Sequence, residues 1–318
     1  MLVPALFLTL LSPVRAGTPP DHYRIGAYIT AIHGIDFSTG TFSADFWVWS
    51  VGSSPSRDPL QTMEFINSGT ITRQLQSSTH RDDVFWRQTK ILGTFRQPWN
   101  LRYFPFDTQL LEITLEEGQD DATALIYDAD IANTGYLPEA SPPGWRITSV
   151  TARAVTTHYT TNFGDPAGGS GSDYARLYLT IRLKRTSLAI FLNLSAPLYA
   201  AFLLCIVSFL LHKDGQALVE SRLALLAAAL FAVVLNMRSV STILGNEHDL
   251  TVVDRLHILV LIEIVIATLV TIAAGIARDR DKRFPRSIDY TCCAILGLSF
   301  VAINTLLIAA AVRASSGA

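Results

Sequence analysis

Cysteine is scarce in this chain of 318 residues: there are three, Cys205, Cys292 and Cys293, and all lie in hydrophobic stretches of the C-terminal part. The preceding part has none, which excludes both a disulfide framework and a cysteine metal site there. Charge is also low, since only 16% of the residues are Asp, Glu, Lys or Arg and the formal net charge is −2. Without a basic stripe interleaved with aromatic residues, no nucleic-acid partner is predicted.

Catalytic motifs are missing as well. The sequence has no zinc-ligand spacing, no nucleophile elbow and no phosphate-binding glycine motif, because the glycine-rich run at 168–171 leads into a predicted strand rather than a helix. We therefore predict that the protein is not an enzyme and that it holds no metal or cofactor.

Apolar residues, in contrast, make up 49% of the chain, and the mean hydropathy is +0.31. They concentrate beyond residue 187, whereas 17–187 has the composition of a soluble domain. Residues 1–16 contain an apolar run followed by Val14 and Ala16, which is typical of a cleaved secretion signal, although no Lys or Arg precedes the run. We predict a signal peptide at 1–16 and export of 17–187.

The exported part has the pattern of an all-β domain. Runs rich in β-branched and aromatic residues alternate with turn-forming segments such as 34–40. This spacing favours an immunoglobulin-like β-sandwich over a parallel sheet covered by helices. The glycine-rich segment 160–173 is either a mobile flap at a binding site or a tolerated surface loop. The predicted strands are 23–33, 41–51, 84–95, 110–115, 145–159 and 174–184.

The C-terminal part, 188–318, is predicted to be an all-α domain of four transmembrane helices. Each charge-poor segment is long enough to cross about 30 Å of hydrocarbon. The predicted spans are 188–211, 218–244, 254–277 and 288–313.

Orientation follows from two loops. The loop at 278–286 contains five basic residues, whereas 245–254 contains three acidic residues and neither Lys nor Arg. Because short basic loops stay in the cytoplasm, the N-terminal domain and the C terminus are both predicted to lie outside.

The second span has one face that differs from the rest of the helix. The face begins with an acid and ends with a base, about 27 Å apart by helical rise, with small and apolar residues between them. Ionisable groups at membrane depth usually face protein or water, so we predict several copies of this helix around an aqueous axis. Alternatively, the two charges merely lie in the two headgroup zones. The predicted pore-lining residues are Glu220, Ala224, Ala228, Phe231, Leu235 and Arg238.

A further ionisable residue, Glu263, lies in the middle of the third predicted span. A carboxylate at this depth requires a partner or neutralisation, and Arg238 is the candidate nearest in depth. An interhelical pair between Arg238 and Glu263 therefore competes with the hypothesis that Arg238 faces water, and the sequence favours neither.

Residues 101–109 indicate which class of membrane protein combines an exported β domain with four transmembrane helices. Their sequence, Leu-Arg-Tyr-Phe-Pro-Phe-Asp-Thr-Gln, resembles the signature of the pentameric ligand-gated ion channels, the Cys-loop receptor superfamily, without the paired cysteines of the animal receptors. Residues 90–95, 174–176 and 220–223 are similar to the bacterial amine-gated branch. The resemblance implies a homopentamer with agonist sites between neighbouring sandwiches and a pore lined by the second helix.

The resemblance also implies an agonist site of acidic and aromatic residues, and the matching positions are Glu64, Glu116, Tyr159 and Tyr174. Two carboxylates can neutralise an ammonium group while aromatic faces attract it by about 0.5–2 kcal/mol each. Alternatively, the acids are solvated strand residues and the tyrosines are ordinary sandwich aromatics. Gly118 departs from the family, which has an aromatic residue at this position.

A coupling site is implied at the membrane boundary, where Asp107 and Arg185 match a charge pair of the family and Asp36 lies in a connector facing the loop between the second and third spans. Such a pair can favour one gating state. Alternatively, it is a salt bridge that only holds the two domains together.

These features imply a multi-pass channel in the lipids of a bacterial inner membrane, with the N-terminal domain and the C terminus in the periplasm. Five Glu220 carboxylates at the inner mouth would favour monovalent cations, and a small primary amine would open the channel. Proton gating is the alternative trigger. A non-conducting, membrane-tethered binding receptor is the alternative class of function.

Overall fold

The computed structural model describes residues 19–164, 170–211, 216–245, 249–279 and 286–317. It confirms the predicted order of a β domain followed by four long apolar helices. The predicted signal peptide at 1–16, the tip of the flap at 165–169 and parts of both orienting loops lie outside the described residues.

The β domain contains ten strands, one short α-helix and one 3-10 helix (Pro138–Ala140) among the described residues. Most strands agree with the predicted segments to within a few residues. In chain order the elements are β1 (Asp21–Asp36), β2 (Thr41–Gly52), α1 (Pro59–Thr62), β3 (Met63–Phe65), β4 (Ser68–Arg81), β5 (Val84–Arg96), β6 (Thr108–Glu117), β7 (Leu125–Ala129), β8 (Gly135–Tyr136), β9 (Trp145–Tyr159) and β10 (Ser172–Arg185).

The strands form two facing sheets. The larger sheet has the order β4-β5-β2-β1-β7, with β8 also pairing with β1, and the smaller sheet has the order β3-β6-β10-β9. Neighbours are antiparallel except that β1 pairs in parallel with β7 and β8, so the larger sheet is mixed. Along β2 every second residue is buried, which is the pattern of a strand with one face on a core.

The core of the sandwich lies between the two sheets. Each fully buried aliphatic or aromatic side chain contributes about 1.5–3 kcal/mol by leaving water. Side chains from both sheets meet in this core, among them Phe42, Phe46, Ile91, Leu111, Ile113, Leu177 and Leu179.

Strand β4 was not predicted from the sequence. It is 14 residues long and most of its side chains are exposed. A strand of Ser, Thr, Gln and Arg without apolar alternation lacks the signal that identifies a half-buried strand. It forms because β5, its neighbour, supplies an antiparallel ladder along the strand, with irregularities between Ser68 and Thr70 and between Gln74 and Ser77.

The four long helices are all apolar enough to cross a membrane. The first matches the predicted span to within one residue at each end, and the other three extend beyond theirs. They are α2 (Ala189–Leu210), α3 (Gln216–Leu244), α4 (Val252–Asp279) and α5 (Arg286–Gly317).

A buried polar network joins three of these helices. The amide nitrogen of Asn236 on α3 donates to the carbonyl of Leu194 on α2 at 2.6 Å and lies 3.0 Å from His257 Nε2 on α4. His257 Nδ1 lies 2.7 Å from the carbonyl of Val253, so the proton belongs on Nδ1. The network satisfies polar groups that would otherwise be buried without partners.

The β domain contacts the helical domain through an apolar cluster. Phe104, from the loop before β6, is fully buried against Val240 and Leu244 at the end of α3 and Val253 on α4. The same loop contacts α2, because the rings of Phe106 and Phe191 lie 5.1 Å apart. The motif at 101–109 therefore provides contacts between the β-sandwich and the helices α2, α3 and α4.

Candidate functional site

The predicted pore face of α3 is exposed in the single chain. All six predicted residues are exposed, and Phe231 and Leu235 retain 70% and 63% of their accessible surface. The opposite face packs on α2 and α4. Its buried residues are Leu218, Arg222, Leu226, Ala229, Val233, Asn236, Val240 and Leu244.

The exposed face of α3 has a defined order of side chains. Glu220 lies near the N-terminal end of the helix and Arg238 near the C-terminal end, both exposed, and the small residues Ala224 and Ala228 lead to Phe231. Large apolar side chains exposed on a helix of this length require lipid or another protein surface to cover them.

The hypothesis of a pair between Arg238 and Glu263 is wrong for the described residues. The Glu263 carboxylate is 2% exposed and accepts a hydrogen bond at 3.0 Å from Ser299 on α5, while its other oxygen has no hydrogen-bond partner within the described chain. Glu263 therefore faces α5, whereas Arg238 is exposed on α3. Position along each span can be counted from the sequence, but the direction in which each helix turns its side chains depends on packing between the helices.

An ion pair that was not predicted anchors the N-terminal half of α3. Arg222 is buried, and its two terminal nitrogens each donate to Asp289 of α5 at 2.8 Å. One of them also donates to the carbonyl of Phe209 on α2 at 3.3 Å. The sequence contains a feature that could have predicted an acidic partner for Arg222, because a lone Arg beside an apolar span requires a partner.

The acidic residues of the predicted agonist site are neighbours on the smaller sheet. Glu64 on β3 lies directly opposite Glu116 on β6, and Glu116 lies directly opposite Arg176 on β10. Residues paired in this way project from the same face. Two like charges opposite each other would be unfavourable, and Arg176 balances one of them.

The Glu116 carboxylate is already occupied. It is 6% exposed and accepts hydrogen bonds from the hydroxyl of Tyr159 at 2.7 Å and from Arg176 Nε at 2.6 Å. Burial and the hydrogen bond to Glu116 raise the pKa of Tyr159. Glu64, in contrast, is exposed. Sequence reasoning missed Arg176 because nothing in its local pattern distinguishes it from a solvated strand residue.

Three aromatic rings cluster beside these acids. The Tyr159 ring lies 6.0 Å from Tyr174 and 5.2 Å from Phe163, in edge-to-face contacts. Phe163 was not predicted, and it is 63% exposed at the start of the flap. The cluster thus presents aromatic faces at the end of the β9–β10 hairpin, next to Glu116.

Gly118 has no room for the aromatic residue that the family would place there. A Cβ atom at this position would lie 2.8 Å from the carbonyl oxygen of Thr62 and 3.0 Å from Glu64 Cγ. The space beside Gly118 is therefore taken by the Thr62 carbonyl and the Glu64 side chain.

At the domain boundary, Asp107 and Arg185 form a buried ion pair. Arg185 Nε donates to one Asp107 oxygen at 2.9 Å, and Gln109 donates to the other at 2.6 Å. The guanidinium also lies over aromatic rings, 4.0 Å from that of Trp145 and 4.9 Å from that of Phe104. Such stacking adds about 2 kcal/mol where the cation is desolvated.

Asp36, the third predicted coupling residue, shapes its own turn. Its carboxylate accepts hydrogen bonds from the backbone and hydroxyl of Ser38 and from the backbone of Thr39, and these lower the pKa of Asp36. Ser38 in turn touches the end of α3, since a Cβ atom at Gly245 would lie 3.2 Å from Ser38 Cα. The turn is therefore a second contact between the β domain and the end of α3, and the Asp36 carboxylate stabilises its conformation.

The architecture, an N-terminal β-sandwich followed by four membrane-capable helices, is similar to that of the pentameric ligand-gated ion channels and compatible with a channel-like membrane receptor. No protein-family model matches this chain, and no curated protein matches it. The described residues contain no cluster of His, Cys, Asp and Glu that could hold a metal ion.

Proposed function

We propose that this protein is a homopentameric, ligand-gated ion channel rather than an enzyme or a non-conducting receptor. The observation that carries the proposal is the exposed face of α3, where an acid, two alanines, two large apolar residues and an arginine follow one another along one stripe. A helix with this stripe is explained by an aqueous axis that it shares with copies of itself. The resemblance of residues 101–109 to the channel family supports the number five.

In such a pentamer, Phe231 and Leu235 form two apolar rings on the axis. Rings of this kind gate by excluding water when they are narrow. Glu220 forms a ring of carboxylates at the cytoplasmic mouth, where it favours monovalent cations. The basic loop at 278–286 supports this orientation, with the sandwich and the C terminus in the periplasm of a bacterium.

The selectivity assignment is tested by current through a planar bilayer that contains the purified protein. In a sodium chloride gradient the reversal potential is expected to lie towards that of sodium. Replacing Glu220 by Gln is expected to move it towards zero, because the charged ring is lost. Glu112→Gln, which removes an exposed acid from the β domain, serves as control. A reversal potential of the unmodified protein near that of chloride would contradict the assignment.

For the trigger we propose a small primary amine that binds between adjacent sandwiches near Glu64, Tyr159 and Tyr174. Aromatic faces and a carboxylate are the groups that stabilise an ammonium ion. An amine opens the channel only if it binds the open form more tightly than the closed form. Current during exposure to a series of small amines tests the proposal, and the absence of any amine-evoked current would contradict it.

Protons are a second candidate trigger, favoured by three histidine–aspartate hydrogen bonds on the β domain. The bond between His158 and Asp173, 2.8 Å long, lies at the base of the flap. The other two join His22 to Asp128 at 2.9 Å and His33 to Asp45 at 3.4 Å. Histidine is the side chain that titrates near neutral pH. A pH step without amine separates the two triggers, because only the proton-gated channel would respond.

A further inference from the structure

The polar contacts of Arg176 form a closed set. Its Nε donates to Glu116, one terminal nitrogen donates to the Tyr159 hydroxyl at 2.6 Å, and the other donates to the Tyr178 hydroxyl at 3.1 Å. The Tyr159 hydroxyl donates onward to the second oxygen of Glu116. All three guanidinium nitrogens and both carboxylate oxygens therefore have partners inside one subunit.

Burial makes this set stable against exchange with water. The Arg176 and Glu116 side chains are 13% and 8% exposed. The Arg176 guanidinium also lies 5.8 Å from the rings of Tyr159 and Tyr178. Burial alone would lower the pKa of Arg176, but its hydrogen bonds with Tyr178 and Glu116 raise it above the ordinary value. The guanidinium thus occupies the kind of place, between a carboxylate and aromatic faces, in which a ligand ammonium would be expected.

Three charged side chains that lie next to one another on the smaller sheet have one negative charge in excess, which a ligand cation can neutralise. Glu64, Glu116 and Arg176 are successive neighbours across β3, β6 and β10. Two carboxylates against one guanidinium leave a single formal negative charge. Since Glu116 is fully engaged, that charge resides on the exposed Glu64.

We infer that the Arg176 guanidinium acts as a permanent cation within the ligand site and neutralises Glu116. Glu64 is then the carboxylate that meets a ligand ammonium. The site is therefore restricted to ligands with one positive charge. Arg176 is thereby a specificity-determining residue, and Glu116 is a positioning residue that holds Arg176 and Tyr159. The inference rests on the proposed amine site and names the charge class of its ligand.

The first test removes the Arg176 guanidinium by mutation and supplies a small guanidinium compound in solution in its place. Arg176→Ala leaves a space beside Glu116 that methylguanidinium can fill. In the purified full-length protein, millimolar methylguanidinium chloride is expected to raise the melting temperature of Arg176→Ala by about 2–4 °C relative to sodium chloride at equal ionic strength. It should leave unchanged the unmodified protein and the double variant Arg176→Ala/Glu116→Gln.

The matched control is Arg153→Ala. Arg153 lies 4.9 Å from the ring of Tyr178 on the neighbouring strand β9 and is exposed. Its replacement removes an arginine from the same aromatic ring but not from Glu116, so no response to methylguanidinium is expected. Equal shifts in all variants, or no shift in Arg176→Ala, would overturn the inference.

The second test compares ligand charge. Binding of butylamine and of 1,4-diaminobutane is measured by calorimetry with the unmodified protein, Arg176→Ala and Arg176→Lys. The affinity of the diamine relative to the monoamine is expected to rise at least about tenfold in Arg176→Ala, because a second carboxylate becomes available. It should stay unchanged in Arg176→Lys, which keeps the charge. An unchanged ratio in Arg176→Ala would overturn the inference.

Arg176→Ala buries Glu116 without its cation and can fail to fold for that reason. In that case Arg176→Gln/Glu116→Gln is used, which retains the charge of Glu64 alone. Butylamine should still bind to it, and adding Glu64→Gln should abolish binding. Loss of binding in the first of these variants would overturn the inference.

These results separate the inference from the proposed function. If no amine opens the channel but methylguanidinium stabilises Arg176→Ala selectively, the proposed agonist is wrong, whereas the neutralisation of Glu116 by Arg176 stands. If amines open the channel and the diamine ratio does not respond to Arg176→Ala, the channel proposal stands and the role of Arg176 is wrong.

Discussion

Replacing Asp289 by Asn is expected to destabilise the four-helix domain by about 3–5 kcal/mol, because it leaves the charge of Arg222 buried without an ionic partner. Arg222 is 2% exposed, and both of its terminal nitrogens donate to Asp289. Its Nε has no hydrogen-bond partner within the described chain, and besides Asp289 the guanidinium donates only to the Phe209 carbonyl among the described residues, which carries no charge. The loss is measured as a fall in the melting temperature of the purified protein in lipid.

The control for this variant is Arg286→Gln. Arg286 is exposed at the start of the same helix, and its replacement is expected to change stability by no more than about 0.5 kcal/mol. The double variant Arg222→Met/Asp289→Leu replaces the pair by apolar side chains and should recover much of the stability lost in Asp289→Asn. If Asp289→Asn and Arg286→Gln were equally mild, Arg222 would not depend on Asp289.

The second large effect is expected at the domain boundary. Asp107→Asn removes the charge that Arg185 faces, with both side chains almost completely buried. We expect a loss of about 3–5 kcal/mol in stability, because Arg185 remains trapped among aromatic rings without its counter-ion. The measurement is thermal unfolding of the purified protein, with Glu112→Gln on the following strand β6 as the exposed-acid control.

The same variant tests whether the pair transmits the signal. The loop that carries Asp107 rests on the ends of α3 and α4 through Phe104. If the pair biases the gating equilibrium, Asp107→Asn should reduce the amine-evoked current while amine binding to the purified protein is retained. A stable, folded Asp107→Asn protein with an unchanged concentration dependence of the current would leave the pair with a purely structural role.

The helical half of the molecule could be predicted from the sequence to within a few residues because its signal is local. A charge-free run of sufficient length specifies a span, and a period of 3.6 residues specifies which side chains share a face. This period places Glu220, Phe231 and Arg238 on one face of α3, and all three are exposed there.

The contacts between elements could not be predicted in the same way. The opposition of Glu116 and Arg176, which are 60 residues apart in the chain, depends on the register of two strands, and registers are set by the whole sheet. Similarly, whether Glu263 meets Arg238 or Ser299 depends on the rotation of α4 about its axis, which is set by packing. Strand β4 escaped prediction because its stability comes from its neighbour.

The central claim is that the exposed face of α3 borders water. It is tested most directly by single cysteines introduced into a variant whose three native cysteines are replaced. Phe231→Cys is compared with Leu298→Cys on α5, which is similarly exposed in the single chain, at 70% and 72%, and with the buried Val233→Cys on α3.

The protein is reconstituted in lipid vesicles and treated with a charged, water-soluble methanethiosulfonate reagent. We expect modification at residue 231 and none at 298 or 233, because only the first position lies on an aqueous axis while the other two face lipid and the helix core. Modification at 298 with none at 231 would show that the stripe on α3 is covered by something other than water, and it would contradict the channel.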